Sequence, residues 1–150
     1  MTFRPAIIQD IPQIQIVRNS VKENTLSNPN LIKDADIEHF MTKRGKGWVC
    51  EVENQIVGFS IVDLEENNVW ALFIKPAFEK KGIGRKLHDL MINWYFKQTT
   101  ETIWLGTSLN TRAEIFYEKC GWDKVGMYGE GEVKFEMGFN NWQKTENHDQ

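Results

Sequence analysis

Leu72-Phe73-Ile74-Lys75-Pro76 and, two residues on, Glu79-Lys80-Lys81-Gly82-Ile83-Gly84-Arg85-Lys86 form the stretch on which the reading of this sequence turns. The run from Val69 to Ile74 carries no titratable side chain, as expected of a central strand covered on both faces. Pro76 stops it, and Gly82 and Gly84 break the cationic segment that follows. From there Ile83, Leu87, Leu90, Met91, Trp94 and Tyr95 recur at helical spacing toward Phe96. A strand, a glycine loop and a helix start in immediate succession make an anion cradle, because the first turn of a helix offers unpaired N–H groups and a positive dipole end. Glycine permits the left-handed turn and the close approach of main chain to ligand. Lys75, Lys80, Lys81, Arg85 and Lys86 place five cations within twelve positions of a chain whose net charge is -3. The same spacing also suits a plain strand-to-helix turn with lysines on a solvated face. Two familiar phosphate motifs do not fit: a dinucleotide fingerprint needs glycine where Leu87 stands, and a P-loop needs Gly-Lys followed by Ser or Thr.

Toward the N-terminus, Trp48 to Val52 and Ile56 to Leu64 are β-rich runs separated by Glu53-Asn54-Gln55, so with Val69 to Ile74 they predict a three-stranded meander. Before them, Phe3 to Ile8 reads as extended, and Gln9-Asp10 can cap a helix bearing Ile11, Ile14, Val17 and Val21. Asn24 to Asn30 is dense in turn formers. A second helix carries Ile37, Phe40 and Met41 and is predicted to end at Gly45 and Gly47. Toward the C-terminus, Thr102 to Leu105 is a short strand able to return parallel beside the central one. Thr111-Arg112-Ala113-Glu114 is a capping-box pattern opening a helix that Gly121 stops. Trp122 to Tyr128 and Val133 to Phe139 predict a final hairpin, and residues 140–150 a polar, frayed tail. The expected fold is therefore α/β (α+β): a single mixed, mostly antiparallel sheet of about seven strands with four helices on both faces, in one domain over residues 1–139.

Composition excludes several functions. Hydrophobic and charged fractions of 41% and 26% suit an ordinary globule, and no apolar run approaches the roughly 20 residues of a membrane span. The start lacks the pattern of a secretory signal, so a cytoplasmic protein is expected. An acidic chain without a basic surface argues against nucleic acid. Cys50 and Cys120 stand 70 positions apart, and His39, His88 and His148 are scattered, so no metal site is expected. Monomer and homodimer are both left open.

The chain resembles the GNAT superfamily of acyl-CoA-dependent N-acetyltransferases. That family's loop reads Gln or Arg, two residues, Gly, any residue, then Gly or Ala, after a strand ending in a proline turn. Here the glycines are Gly82 and Gly84 and the first position is Glu79. A carboxylate facing a diphosphate is unfavourable, so Glu79 is expected to point away. A second motif matches Asn110, Ala113, Phe116, Tyr117, Gly121 and Trp122.

The resemblance implies an acetyl-CoA donor whose pantetheine arm pairs with the backbone of Leu72, Phe73 and Ile74. It implies a diphosphate held by Lys80, Lys81, Gly82, Ile83, Gly84 and Arg85, a further cofactor contact from Asn110, and Tyr117 as the catalytic proton donor to the departing thiolate. It also implies an acetyltransferase acting on a primary amine of a small molecule or peptide. A non-catalytic CoA-binding or regulatory module of the same fold is the alternative.

No general base is visible. Some relatives that acetylate protein N-termini place a glutamate near the position of Gly106; Glu51, Glu136 and His39 are the remaining candidates, together with a water relay. Arg18, Glu23, Asn24 and Trp70 could line the acceptor side. Cys120 is expected to pack inward rather than to act as a nucleophile.

Overall fold

The computed structural model describes residues 1–21 and 32–148; the predicted loop from Asn24 to Asn30, together with Glu23, lies outside them. Strands β1 (Thr2–Pro5), β2 (Gly45–Val52), β3 (Gln55–Asp63), β4 (Asn68–Ile74), β5 (Ile103–Ser108), β6 (Asp123–Met127) and β7 (Glu132–Met137) form one seven-stranded sheet in the order β1-β2-β3-β4-β5-β7-β6. Every pairing is antiparallel except β4 with β5. Helices α1 (Ile11–Ser20) and α2 (Asp34–His39) cover one face through Ile14, Val17 and Ile37, packed on Val49, Phe59 and Ile61. On the other face lie α3 (Ile83–Gln98), α4 (Arg112–Lys119) and α5 (Phe139–His148).

The predicted apolar stripe of α3 is rotated slightly: Ile83, Leu87, Met91 and Tyr95 are buried as expected, joined by Ile92 and Phe96, while Leu90 and Trp94 sit at the rim. Each fully buried large side chain of this kind contributes about 1.5–3 kcal/mol. Tyr95 anchors the helix end, its hydroxyl donating to Asn67 Oδ1 at 2.9 Å or the Glu101 carbonyl at 3.1 Å.

Two expectations are corrected. The polar segment after Phe139 is not a frayed tail but the helix α5, because Trp142 is buried, stacks on Phe96 with ring centroids 5.2 Å apart and donates from Nε1 to Asn93 Oδ1 at 2.8 Å. This raises the helix count from four to five among the described residues. Gly45 and Gly47 do not merely end the second helix. A wide turn over Phe40–Arg44 ends it, and the glycines begin β2. A Cβ on Gly45 would lie 1.7 Å from the Val62 carbonyl oxygen, so only glycine lets β2 approach β3 there. Gly45→Ala is expected to cost about 3 kcal/mol and to lower Tm by roughly 6–12 °C. An unchanged thermal melt would show that the two strands do not press together at this point.

Candidate functional site

The site begins where the sheet comes apart. The β4–β5 register consists of one pair, Asn68 with Trp104. Asn68 Nδ2 donates to the Trp104 carbonyl at 3.1 Å, Trp104 N–H to the Asn67 carbonyl at 2.9 Å, and the Trp104 indole N–H to the Glu66 carbonyl at 3.0 Å. Beyond this stapled end β4 continues through Ile74, paired only with β3, and β5 continues through Ser108, paired only with β7. Parallel strands that part in this way leave the edge of β4 facing a gap, with its main-chain groups available to an extended ligand.

The gap opens into a cleft of about 490 Å³ lined by Leu72, Phe73 and Ile74 from β4, Phe116 and Tyr117 from α4, and the start of α3. At its polar end, Lys80 and Gly82 take left-handed φ values of 62° and 82°, and Gly82 caps α3. Alternating backbone conformations of this kind turn successive N–H groups toward one point, at the positive end of the helix dipole. Of the residues expected to hold a donor, Leu72, Phe73, Ile74, Lys80, Gly82, Gly84 and Arg85 line the cleft. Ile83 is buried in the core beneath it, and neither Lys81 nor Asn110 is among the lining residues. Asn110 occupies the turn before α4 with φ 63°, its N–H donating to Glu114 Oε2 at 2.6 Å. Glu114 completes the capping pattern one residue earlier than expected, while Thr111 Oγ1 accepts from the Glu114 N–H at 3.4 Å.

Tyr117 reaches the cleft from an aromatic box. Its ring meets Phe116 edge-on at 5.2 Å and Trp122 at 5.6 Å, and lies 6.1 Å from Phe135. Behind it, the Trp122 indole N–H donates to His88 Nε2 at 2.9 Å, which places the His88 proton on Nδ1, 2.9 Å from Asp89 Oδ1. That buried His88 bridge, which clamps α3 to the residues following α4, was not foreseen. Burial pushes the Tyr117 phenol well above its ordinary range, with the neighbouring Cys120 adding to the effect. The phenol therefore keeps its proton at neutral pH. Burial likewise pushes the Cys120 thiol up to about 12, leaving it unreactive.

Glu79 does not point away from the cleft. It is a lining residue, and its carboxylate forms an ion pair with Arg112, the first residue of α4. Lys119 adds a further cation to the α4 wall. The candidate bases are dispersed. Glu51 is bound to Arg4 at the β1–β2 edge, 2.5 Å from Nη2, and Arg4 also pairs with Asp10 at 2.8 Å. Glu136 lies on β7 opposite Trp104, 3.8 Å from Lys134. His39, exposed at the end of α2, contacts Phe40, whose ring stacks on Trp70 at 4.1 Å. A Cβ on Gly106 would lie 3.1 Å from the ring of the exposed Tyr128, so a side chain at this position requires that ring to shift. On the acceptor side, burial lowers the pKa of Arg18, while Glu23 and Asn24 fall outside the described residues.

A model of the acetyltransferase (GNAT) family matches residues 12–122. The ribosomal protein bS18-alanine N-acetyltransferase of Haemophilus influenzae is 31% identical over 74 residues, which is 48% of this chain and 51% of the relative. The chain thus spans about half the length of the curated relatives it matches. Among solved structures, the ribosomal-protein-S18-alanine N-acetyltransferase of Escherichia coli superposes with a TM-score of 0.73 at 15% identity, over 92% of this chain and 93% of the other. PaiA N-acetyltransferase of Thermoplasma acidophilum, solved in complex with coenzyme A, gives 0.77 at 15% identity over 92% and 99%.

Proposed function

The chain belongs to the acetyltransferase (GNAT) family, and from that premise we propose that it moves the acetyl group of acetyl-CoA onto a primary amine of a small molecule or peptide, by direct attack in a ternary complex. One observation carries the reading: a single cleft joins a glycine-capped cationic helix start, the unpaired edge of β4 and the buried phenol of Tyr117. Its residues suit the donor. The apolar walls from Leu72 to Ile74 and Phe116 accept a pantetheine arm, and the Lys80–Arg85 turn suits a diphosphate.

Acetyl-CoA supplies an acetyl group already activated as a thioester. Around it this chain's residues orient and protonate. The β4 backbone holds the arm in line as an added strand would. The α3 N-terminus neutralises the diphosphate. Tyr117 gives its proton to the sulfur as the thiolate departs and the amine nitrogen bonds to the carbonyl carbon. The acceptor nitrogen sheds one proton before it attacks and a second as the amide forms; water takes them up and returns one to the Tyr117 phenolate, since Glu79, the one carboxylate among the described cleft-lining residues, stands at the polar end of the cleft wall beside the Lys80–Arg85 turn. The likeness to ribosomal-protein alanine transferases favours a peptide α-amine as acceptor.

A second reading, a CoA-binding module without turnover, draws support from that same wall, which among the described residues carries no imidazole. Calorimetric titration with acetyl-CoA, paired with CoA release over a panel of amines and alanine-initiated peptides, separates the two. Binding with turnover is expected. Binding with no turnover on any amine favours the module, and stabilisation by ATP but not by CoA would sink both.

A further inference from the structure

Arg112 stands at an unfavourable place for its own helix. A cation on the first residue of α4 faces the positive end of the dipole, where acidic side chains are stabilising. Its compensation comes from across the cleft, from Glu79, in the loop that leads into α3. Glu79 is also the one carboxylate among the described cleft-lining residues, where Lys80, Arg85, Arg112 and Lys119 all carry positive charge. Both partners are partly accessible, with side-chain exposures of 29% for Glu79 and 50% for Arg112. The pair is therefore reachable by a ligand without dismantling the core. A carboxylate and a phosphoryl group present a guanidinium with the same forked acceptor geometry, and a diphosphate, with two negative charges against one, is the stronger partner.

We propose that Arg112 is a donor-binding residue that exchanges partners: Glu79 holds it beside the α3 N-terminus, and the donor's diphosphate takes it over on binding. This rests on the acetyl-CoA reading above and adds to it a phosphate contact supplied by α4. Glu79 then acts as a built-in competitor that sets donor affinity, and Arg112 provides the side-chain cation that the glycine loop lacks at its first position. No bond is made or broken in the exchange. Glu79 moves to solvent as the phosphate enters.

The test is a double-mutant cycle read by calorimetry, using acetyl-CoA, acetyl-dephospho-CoA and S-acetylpantetheine as probes. Glu79→Gln is expected to tighten acetyl-CoA binding by about five- to tenfold, and Arg112→Gln to weaken it by about tenfold. In the Arg112→Gln background the gain from Glu79→Gln should vanish, because no guanidinium is left to release. The gain should persist with acetyl-dephospho-CoA, which keeps the diphosphate, and be absent with S-acetylpantetheine, which has none. A gain surviving in the double variant would mean simple repulsion of phosphate by Glu79 and would overturn the exchange. So would weaker binding by Glu79→Gln, or a gain confined to the 3′-phosphorylated donor. If the unaltered protein binds no acetyl-CoA, the functional reading fails and the exchange with it; if it binds and Glu79→Gln has no effect, the exchange alone fails. Thermal melts of each variant check that the fold survives.

Discussion

Replacing Tyr117 by phenylalanine is expected to lower kcat by about 10²–10⁴-fold, the range typical of a lost general acid, while the acetyl-CoA Kd stays within about twofold. The asymmetry follows from the surroundings of the ring. Phe116, Trp122 and Phe135 hold it on three sides, and the phenylalanine ring fills the same box. What the variant lacks is one hydroxyl. Because burial raises the phenol's pKa in the folded protein, its proton is retained throughout the neutral range, and no loss of activity from its ionisation is expected below about pH 10. The same shift links to stability. Above about pH 10 the unfolded chain gives up this proton before the folded one does, so the contribution present below that pH is lost as pH rises. The unaltered protein should therefore show a steeper alkaline fall in Tm than Tyr117→Phe. Equal kcat values for the two proteins would remove Tyr117 from the chemistry.

Gly82→Val is expected to raise the acetyl-CoA Kd by at least about tenfold with a much smaller effect on folding. At φ 82° a β-branched residue is strained by about 1–3 kcal/mol. Apart from its neighbours in the chain, nothing lies within 4 Å of where its Cβ would sit, so a valine that did hold this conformation would project into open space beside the cleft. Relaxing the strain would instead turn the Ile83 and Gly84 N–H groups away from the point they share. Gly82→Asn, which tolerates left-handed φ better, should fall between the two. Donor affinity unchanged in Gly82→Val would mean that the loop does not cradle phosphate.

Much of the architecture could be read from local pattern. The apolar run Val69–Ile74, the glycines at Gly82 and Gly84 and the periodicity of α3 placed a central strand, a turn and a core helix in one stretch, and each element stands there in the fold. Tyr117 was singled out by the family resemblance, through a motif whose Asn110 and Gly121 flank α4, and it stands in the cleft wall. Features that depend on distant partners were illegible. Glu79 and Arg112 lie far apart in sequence, and nothing around either residue announces the other. The helix α5 was hidden because Asn140–Gln150 is polar; Phe139 and Trp142 secure it only once α3 presents Phe96 to them. Gly45 and Gly47 read as stop signals by propensity, yet close approach to β3 is what requires Gly45.

The single backbone pair between β4 and β5 has a mechanical meaning as well. Either side of it the sheet is a continuous hydrogen-bonded fabric, so compliance concentrates at that seam, where one rung and the ties of Asn68 and Trp104 bear the load. The apolar layer under α3 spans the seam from Val57 to Phe135 and holds the two panels in register without stiffening their edges. An extended ligand laid between the panels is then a splint: it stiffens the weakest line of the molecule while it is bound, and its departure makes that line compliant again.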